Sequence, residues 1–141
     1  MRILAVDPGE KHIGLALSDE TAMLSRPLMV VPHASKLVDA ALVAARAADE
    51  AAGLIVVGVS YTEDGELNSS GRRAANFAEA LRQQTAIPVI LWDESLTTRD
   101  ARALSLELGR SRKKRSGHQD ALAASILLQS YLDSLPTSSL D

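Results

Sequence analysis

The stretch of sequence that decides the fold is VDPGEKHIGLA, residues 6–16, near the start of the chain. It joins two apolar runs, residues 2–6 and residues 12–18, through a Pro-Gly turn. Two β-rich runs separated by such a turn predict a β-hairpin. Asp7 stands where the first strand of this hairpin ends, so a carboxylate directly follows an apolar strand.

Downstream of the hairpin, short strands alternate with longer helices. The patterns predict further strands at 27–32, 54–59 and 88–92, and helices at about 35–52, 70–85, 97–108 and 118–134. The second and third of these strands do not alternate apolar with polar residues, which is typical of strands covered on both faces. The order β-β-β-α-β-α-β-α-α therefore predicts an α/β protein with a five-stranded mixed sheet and helices on both faces. The ribonuclease-H-like fold has this order.

The apolar spacing also predicts which helix faces turn inward. In the first helix these residues are Leu37, Val38, Ala41, Leu42 and Ala45. In the second helix they are Ala74, Phe77, Ala78 and Leu81. The 141 residues hold enough apolar sequence for one core, so we expect a single domain over residues 1–135 and a polar tail over residues 136–141.

Composition narrows the class of protein. The chain has no cysteine, which excludes disulfides, thiolate nucleophiles and zinc-thiolate sites. No apolar run approaches the roughly 20 residues that a membrane-spanning helix needs, and the first residues show no signal-peptide pattern. We therefore expect a cytoplasmic protein with no membrane partner.

Three acidic residues occupy positions that a folded core does not favour. Asp7 and Glu94 each lie at the end of an apolar strand, and Asp120 lies near the start of the last predicted helix. Asp120 shares the apolar stripe of that helix with Ala123, Ala124, Leu127, Leu128 and Tyr131. A buried carboxylate must be paired, hydrogen-bonded or metal-bound, because an isolated buried charge is costly. Each residue alone also has an ordinary explanation, as a turn residue, a cap or a partner of the helix dipole.

The three carboxylates together suggest a metal site. Functional sites of open α/β sheets form beyond the carboxyl ends of strands. If the strands before Asp7 and Glu94 are parallel neighbours, both side chains emerge at one edge, which Asp120 can approach from its helix. Oxygen ligands without cysteine suit Mg²⁺ or Mn²⁺, and such ions support phosphodiester hydrolysis without a protein nucleophile. These residues therefore favour a metal-dependent nuclease.

A basic segment precedes the last predicted helix. Five of the 15 Lys and Arg residues fall within six positions, as Arg110, Arg112, Lys113, Lys114 and Arg115. The whole chain carries a net charge of −3, so this positive charge is local and predicts a local contact with a polyanion. A solvated loop is the ordinary alternative. Lys11 in the turn and Thr97 at a predicted helix start are further candidates for nucleic-acid contacts, with an exposed turn lysine and a helix cap as their alternatives.

Two other functions fit parts of the pattern. Residues 7–14 read Asp-x-Gly-x-Lys-x-x-Gly, which also resembles the phosphate loop of actin-like ATPases and sugar kinases. Those enzymes hold nucleotide between two domains, whereas this chain has length for one. The other alternative is a non-catalytic nucleic-acid-binding protein of the same fold, which predicts that at least one of the three carboxylates is lost.

Four blocks, in order, resemble the YqgF (RuvX) family. They are VDPGEKHIGLA at 6–16, VVG at 56–58 with DG at 64–65, DESLTT at 93–98, and residues 111–132 with the basic segment and DALAA. This family is described as Holliday-junction resolvases and as nucleases that mature the small-subunit ribosomal RNA precursor. The chain departs from the family pattern at Ser60, Thr62, Ser95 and Gln119 and keeps the three acidic positions.

The resemblance implies a ribonuclease-H-like nuclease over nearly the whole chain, with Mg²⁺ or Mn²⁺ as cofactor. Asp7, Glu94 and Asp120 correspond to the acidic positions of the family, as catalytic residues and metal ligands. The implied substrates are RNA, such as the ribosomal RNA precursor, and branched or single-stranded DNA, including Holliday junctions. A possible homodimer is also implied. Because the basic segment leads into the helix of Asp120, the resemblance favours its role in phosphate binding. The choice between RNA and DNA stays open.

Overall fold

The computed structural model describes residues 1–97, Ala103, Glu107 and 119–136, with the backbone alone at Gln119 and Asp120. The strands are β1 (Arg2–Pro8), β2 (His12–Ser18), β3 (Ser25–Pro32), β4 (Ala52–Val59) and β5 (Val89–Asp93). The helices are α1 (Lys36–Asp49), α2 (Ser69–Arg82) and α3 (Gln119–Ser134), and a 3-10 turn covers Glu94–Leu96. Apart from Ala103 and Glu107, which are helical, the predicted helix over 97–108 lies outside the described residues from position 98 onward. The basic segment and the tail beyond Pro136 also lie outside them.

The five strands form one mixed sheet, as predicted, and their order is β3-β2-β1-β4-β5. β1, β2 and β3 pair antiparallel, whereas β4 runs parallel to β1 on one side and to β5 on the other. The carboxyl ends of β1, β4 and β5 therefore meet at one edge of the sheet. The strands that lead to Asp7 and Glu94 are not neighbours, however, because β4 lies between them. Any contact between these two carboxylates must cross the end of β4.

Helices cover both faces of the sheet, which also confirms the prediction. α1 and α2 pack on one face, over a core that includes Leu4, Val6 and Leu15. α3 packs alone on the other face among the described helices, over Ile3, Ala5 and Val56. The two cores use alternate residues of the same strands, as strand geometry requires. The unalternating apolar runs of β1 and β4 are explained by this double coverage.

The predicted inward face of α1 is wrong. Leu37, Val38 and Leu42 are exposed by 62%, 50% and 50%, and Ala41 and Ala45 are also exposed. The buried residues are Asp39, Ala40, Val43, Ala44 and Ala47. This helix has two apolar stripes, and the stripe of small alanines faces the core because it allows close packing against α2 and the sheet. The predicted inward face of α2 is confirmed, since all four of its residues are buried.

Polar contacts fix α3 on its face of the sheet. The Gln129 side chain, 1% exposed, accepts a hydrogen bond from the Ser25 backbone N–H at 3.0 Å and donates one to the Met23 carbonyl at 3.0 Å. The hydroxyl of Ser25 donates to the Ser125 carbonyl at 2.6 Å. A buried polar group is stable only where its hydrogen-bond partners lie within reach. These contacts therefore set the register of α3 against β3.

Candidate active site

Asp7 lies within β1, one residue before its end, and its side chain is half-buried. It follows Ile3 and Ala5 at alternate positions, and both of these pack beneath α3. Strand alternation therefore turns Asp7 toward the α3 face. Its pairing partner on β2 is Gly14, which has no side chain to cover the carboxylate.

Glu94 begins the 3-10 turn that follows β5, and its side chain is exposed. The Asp93 carboxylate caps this turn by accepting a hydrogen bond from the Ser95 backbone N–H at 2.9 Å. Thr97 closes the turn, because its hydroxyl and its backbone N–H both donate to the Glu94 carbonyl, at 2.8 and 3.2 Å. Local hydrogen bonds thus fix the backbone that carries Glu94.

Asp7, Glu94 and Thr97 line one cavity of about 210 Å³. Its remaining wall consists of Ala123, Ile126 and Leu127 of α3. The structure therefore brings Asp7 of β1 together with Glu94 and Thr97 of the turn after β5, so three predicted site residues from two distant parts of the chain meet. Lys11 is not among the lining residues; it is exposed on the β1–β2 turn, and its carbonyl accepts a hydrogen bond from the His33 backbone N–H at 2.8 Å.

Gly58 of β4, which is not among the predicted site residues, makes this arrangement possible. A Cβ atom at this position would lie 2.7 Å from Cδ2 of Leu127 and 3.2 Å from Oε1 of Glu94. β4 separates β1 from β5, so a side chain here would fill the space in which Glu94 approaches α3. A glycine inside an otherwise apolar buried strand is the sequence signal that could have indicated a close approach.

Asp120 is the second residue of α3, and only its backbone is described. It lies three and seven positions before Ala123 and Leu127, which line the cavity. Among the side chains that the structure describes, no group of three or more His, Cys, Asp and Glu could hold a metal ion. The predicted three-carboxylate set and the five basic residues at 110–115 therefore remain predictions.

A second and larger cavity, of about 550 Å³, lies at the ends of β4 and β5. Asp93 and Ser95, which flank Glu94 in sequence, line one side of it. The loop after β4 forms the other side, with Ser60, Tyr61, Thr62, Glu63 and Gly65. Tyr61 is 42% exposed and its backbone pairs with Leu67, so the loop is held as a small hairpin. Three of the four departures from the family pattern line this cavity.

No helix within the described part of the chain is long and apolar enough to cross a membrane.

Comparison with known proteins places the chain in a family. The model of the family described as "RuvX: Holliday junction resolvase" matches residues 1–134. A protein of Anaeromyxobacter sp. (strain Fw109-5), named "Putative pre-16S rRNA nuclease", is 41% identical over 133 residues, which cover 94% of this chain and 97% of that protein. A protein of the same name from Syntrophus aciditrophicus (strain SB) is 39% identical and covers 96% of this chain and 90% of its own length.

Solved structures share the fold at low sequence identity. RuvC of Thermus thermophilus, in complex with a Holliday junction substrate, superposes with a TM-score of 0.62 at 17% identity, covering 94% of this chain and 95% of RuvC. The Holliday junction resolvase of fowlpox virus gives a TM-score of 0.56 at 17% identity, covering 96% and 100%. These likenesses confirm the predicted ribonuclease-H-like fold.

Proposed function

This chain belongs to the RuvX family, and from that premise we propose that it is a metal-dependent nuclease whose catalytic residues are Asp7, Glu94 and Asp120. The observation that carries the proposal is that Asp7 and Glu94 line the same cavity although β4 lies between their strands. Gly58 of β4 supports the proposal, because its missing side chain leaves the space in which Glu94 approaches α3.

The donor set fits a divalent cation. Asp7 and Glu94 offer carboxylate oxygens from two elements at one cavity, and carboxylates are the ligands that Mg²⁺ and Mn²⁺ favour. Helical periodicity places position 120 on the same face of α3 as the cavity residues Ala123 and Leu127, one turn nearer the start of the helix. We therefore assign Asp7, Glu94 and Asp120 as the residues that would hold Mg²⁺ or Mn²⁺.

The residues that line the cavity have separate roles in the proposed reaction. A bound divalent ion would supply the acidity that activates a water molecule and the positive charge that stabilises the leaving oxygen. Thr97 holds the backbone of Glu94, so the carboxylate approaches from a fixed direction. Ala123, Ile126 and Leu127 form an apolar wall that excludes water from one side of the cavity. A site of this kind hydrolyses phosphodiesters without a protein nucleophile.

Nucleic acid is the substrate class that the proposal requires. We assign phosphate contacts to Arg110, Arg112, Lys113, Lys114 and Arg115, which lead into the helix of Asp120, and to Lys11 on the neighbouring turn. The cavity beside Glu94 would hold the bases of the strand, with Tyr61 as a stacking surface. Phosphate contacts give affinity and register, whereas base contacts give specificity.

RNA is the first substrate to test, because relatives that are 33–41% identical carry a pre-16S rRNA nuclease name. Four-way DNA junctions are the second, because the family model is described by Holliday junction resolution. Labelled single-stranded RNA, single-stranded DNA and a four-way junction should each be incubated with Mg²⁺, Mn²⁺ or EDTA. We expect cleavage of at least one substrate with either ion and none in EDTA. ATP turnover without any cleavage would favour the nucleotide-binding alternative instead.

We also propose that the chain forms a homodimer and works in the cytoplasm. The outward stripe of α1, with Leu37, Val38 and Leu42, is an apolar surface that a second copy could cover. Exposed apolar side chains that lie together on one helix face are typical of interaction surfaces.

A further inference from the structure

A third cavity, of about 370 Å³, opens on the face of the sheet opposite to the candidate active site. Lys36 and His33 line it from the start of α1. Ser69, Arg72, Arg73 and Asn76 line it from α2, at the spacing of a single helix face. We name this cavity the basic cleft. Its volume lies in the range of ordinary ligand sites, roughly 300–1,000 Å³.

The basic cleft carries an excess of positive charge. Lys36, Arg72 and Arg73 supply three cations from two helices. Asp39, the acidic residue on its lining, is 1% exposed, and its carboxylate is already bound by the His33 ring at 2.5 Å and by the Ala34 backbone N–H at 3.0 Å. The buried carboxylate therefore holds the His33 ring in place, and the three cations remain exposed to solvent.

The two arginines of the basic cleft are held in place and still have N–H donors available for a ligand. Arg72 donates one hydrogen bond to the Leu67 carbonyl at 2.9 Å, and a guanidinium has five N–H donors. Arg73 pairs with Glu10 at 3.7 Å, and the two side chains are 42% and 78% exposed. Exposed ion pairs of this kind are weak because water and salt screen them, so a phosphate can displace Glu10.

The basic cleft and the active site lie back to back at the end of β1. Asp7 lines the active-site cavity, and the next two residues, Pro8 and Gly9, line the basic cleft. The β1–β2 turn is therefore the rim between two cavities on opposite faces of the sheet. A nucleic-acid strand that leaves the active site across this turn would bring its next phosphates to Lys36 and Arg73.

We infer that the basic cleft binds a phosphodiester of the same substrate strand, a few nucleotides from the scissile bond. This inference rests on the proposed nuclease function and adds to it a path for the substrate around the β1–β2 turn. It predicts that long strands bind better than short ones because they reach both cavities.

The test is the affinity for fluorescein-labelled single-stranded RNA, measured by anisotropy in EDTA so that no cleavage occurs. The double variant Lys36→Gln with Arg73→Gln should weaken binding of a long strand at least tenfold, or about 1.4 kcal/mol. It should also reduce the slope of log K against log salt by about 1.4, at about 0.7 for each lost phosphate contact. Arg26→Gln, which removes one exposed cation of β3 outside the basic cleft, is the surface control and should leave both values unchanged.

Strand length separates this inference from the proposed function. A labelled trinucleotide should bind the wild type and the double variant equally, because it is too short to span both cavities. The inference is overturned if the double variant binds the long strand like the Arg26→Gln control, or if the trinucleotide loses affinity equally. It is also overturned if free AMP or inorganic phosphate binds the basic cleft and leaves long-strand binding unaffected. Failure of cleavage in Mg²⁺ and Mn²⁺ would count against the nuclease proposal alone.

Discussion

The carboxylate of Glu94 lies directly over Gly58, since a Cβ atom at Gly58 would be 3.2 Å from Oε1 of Glu94. Gly58 belongs to β4, the strand that separates Asp7 on β1 from Glu94 after β5. The same missing side chain leaves room for Leu127 of α3. One glycine therefore lets two strand ends and a helix converge on a single cavity.

Replacing Gly58 with alanine should damage both stability and activity. The added methyl group would meet Cδ2 of Leu127 at 2.7 Å, so α3 or Glu94 must shift. We expect the free energy of unfolding in urea to fall by about 1–3 kcal/mol, as for other overpacked cores. Nuclease activity of the folded fraction should fall at least tenfold.

Gly53→Ala is the matched control for this change, because Gly53 lies in the same strand. Its added Cβ would lie 2.5 Å from Cγ and Sδ of Met1, but this flexible side chain is 65% exposed and can swing away. We expect a change of at most about 0.5 kcal/mol, typical of surface substitutions. If Gly58→Ala behaves like Gly53→Ala, the close approach at Gly58 has no role in the site.

Gln129 should stabilise the fold although it is a polar residue in a buried position. Gln129→Leu preserves most of the side-chain volume but leaves the Ser25 N–H and the Met23 carbonyl without this partner. Leaving a buried group unsatisfied costs about 1–3 kcal/mol, so we expect a loss of this size in urea unfolding. Gln84→Leu, at an exposed position after α2, should change stability by at most about 0.5 kcal/mol. Equal stability of Gln129→Leu and the wild type would show that these hydrogen bonds do not hold α3.

Tyr61 should affect substrate binding and leave the chemical step intact. If its ring stacks on a base, Tyr61→Ala should raise KM about 5-fold to 150-fold, since one stacked base is worth about 1–3 kcal/mol. Tyr61→Phe keeps the ring and should retain wild-type KM. A lowered kcat with unchanged KM in Tyr61→Ala would contradict the stacking role.

The outward face of α1 offers a direct test of the proposed homodimer. The double variant Val38→Lys with Leu42→Lys places two charges on this stripe and should convert a dimer into a monomer in sedimentation velocity, because buried unpaired charges are costly. Leu24→Lys changes an apolar residue of similar exposure, 47%, outside α1 and should leave the dimer intact. A monomeric wild type, or a double variant that remains dimeric, would exclude this interface.

Sequence patterns predicted the sheet and the carboxylates well, for a physical reason. Strands covered on both faces must be apolar throughout, so an acidic residue at the end of such a run is conspicuous. Asp7 and Glu94 were both found in this way, and the structure places them at one cavity. Thr97 was found as a helix cap, and the structure shows it closing the turn of Glu94.

The sequence could not predict two features that depend on packing between distant elements. The predicted inward face of α1 was wrong because large apolar side chains such as Leu37 and Leu42 are expected to be buried. In the structure, close packing instead buries the small residues Ala40 and Ala44. The role of Gly58 depends on strand order, since only the position of β4 between β1 and β5 makes its missing side chain matter. The hydrophobic periodicity and the composition of the sequence carry no information about the order of strands in the sheet.

The most direct test of the central claim is cleavage by Asp7→Asn, with Asp49→Asn as the control at an exposed position of α1. Both changes remove one negative charge and keep the side-chain shape, but only Asp7 lines the cavity with Glu94. The substrate that the wild type cuts should be incubated with each variant in Mg²⁺ or Mn²⁺, after circular dichroism has shown equal folding. We predict that Asp7→Asn loses cleavage by at least a hundredfold and that Asp49→Asn retains it. Wild-type cleavage by Asp7→Asn, or cleavage that persists in EDTA, would contradict a carboxylate-held metal at this site.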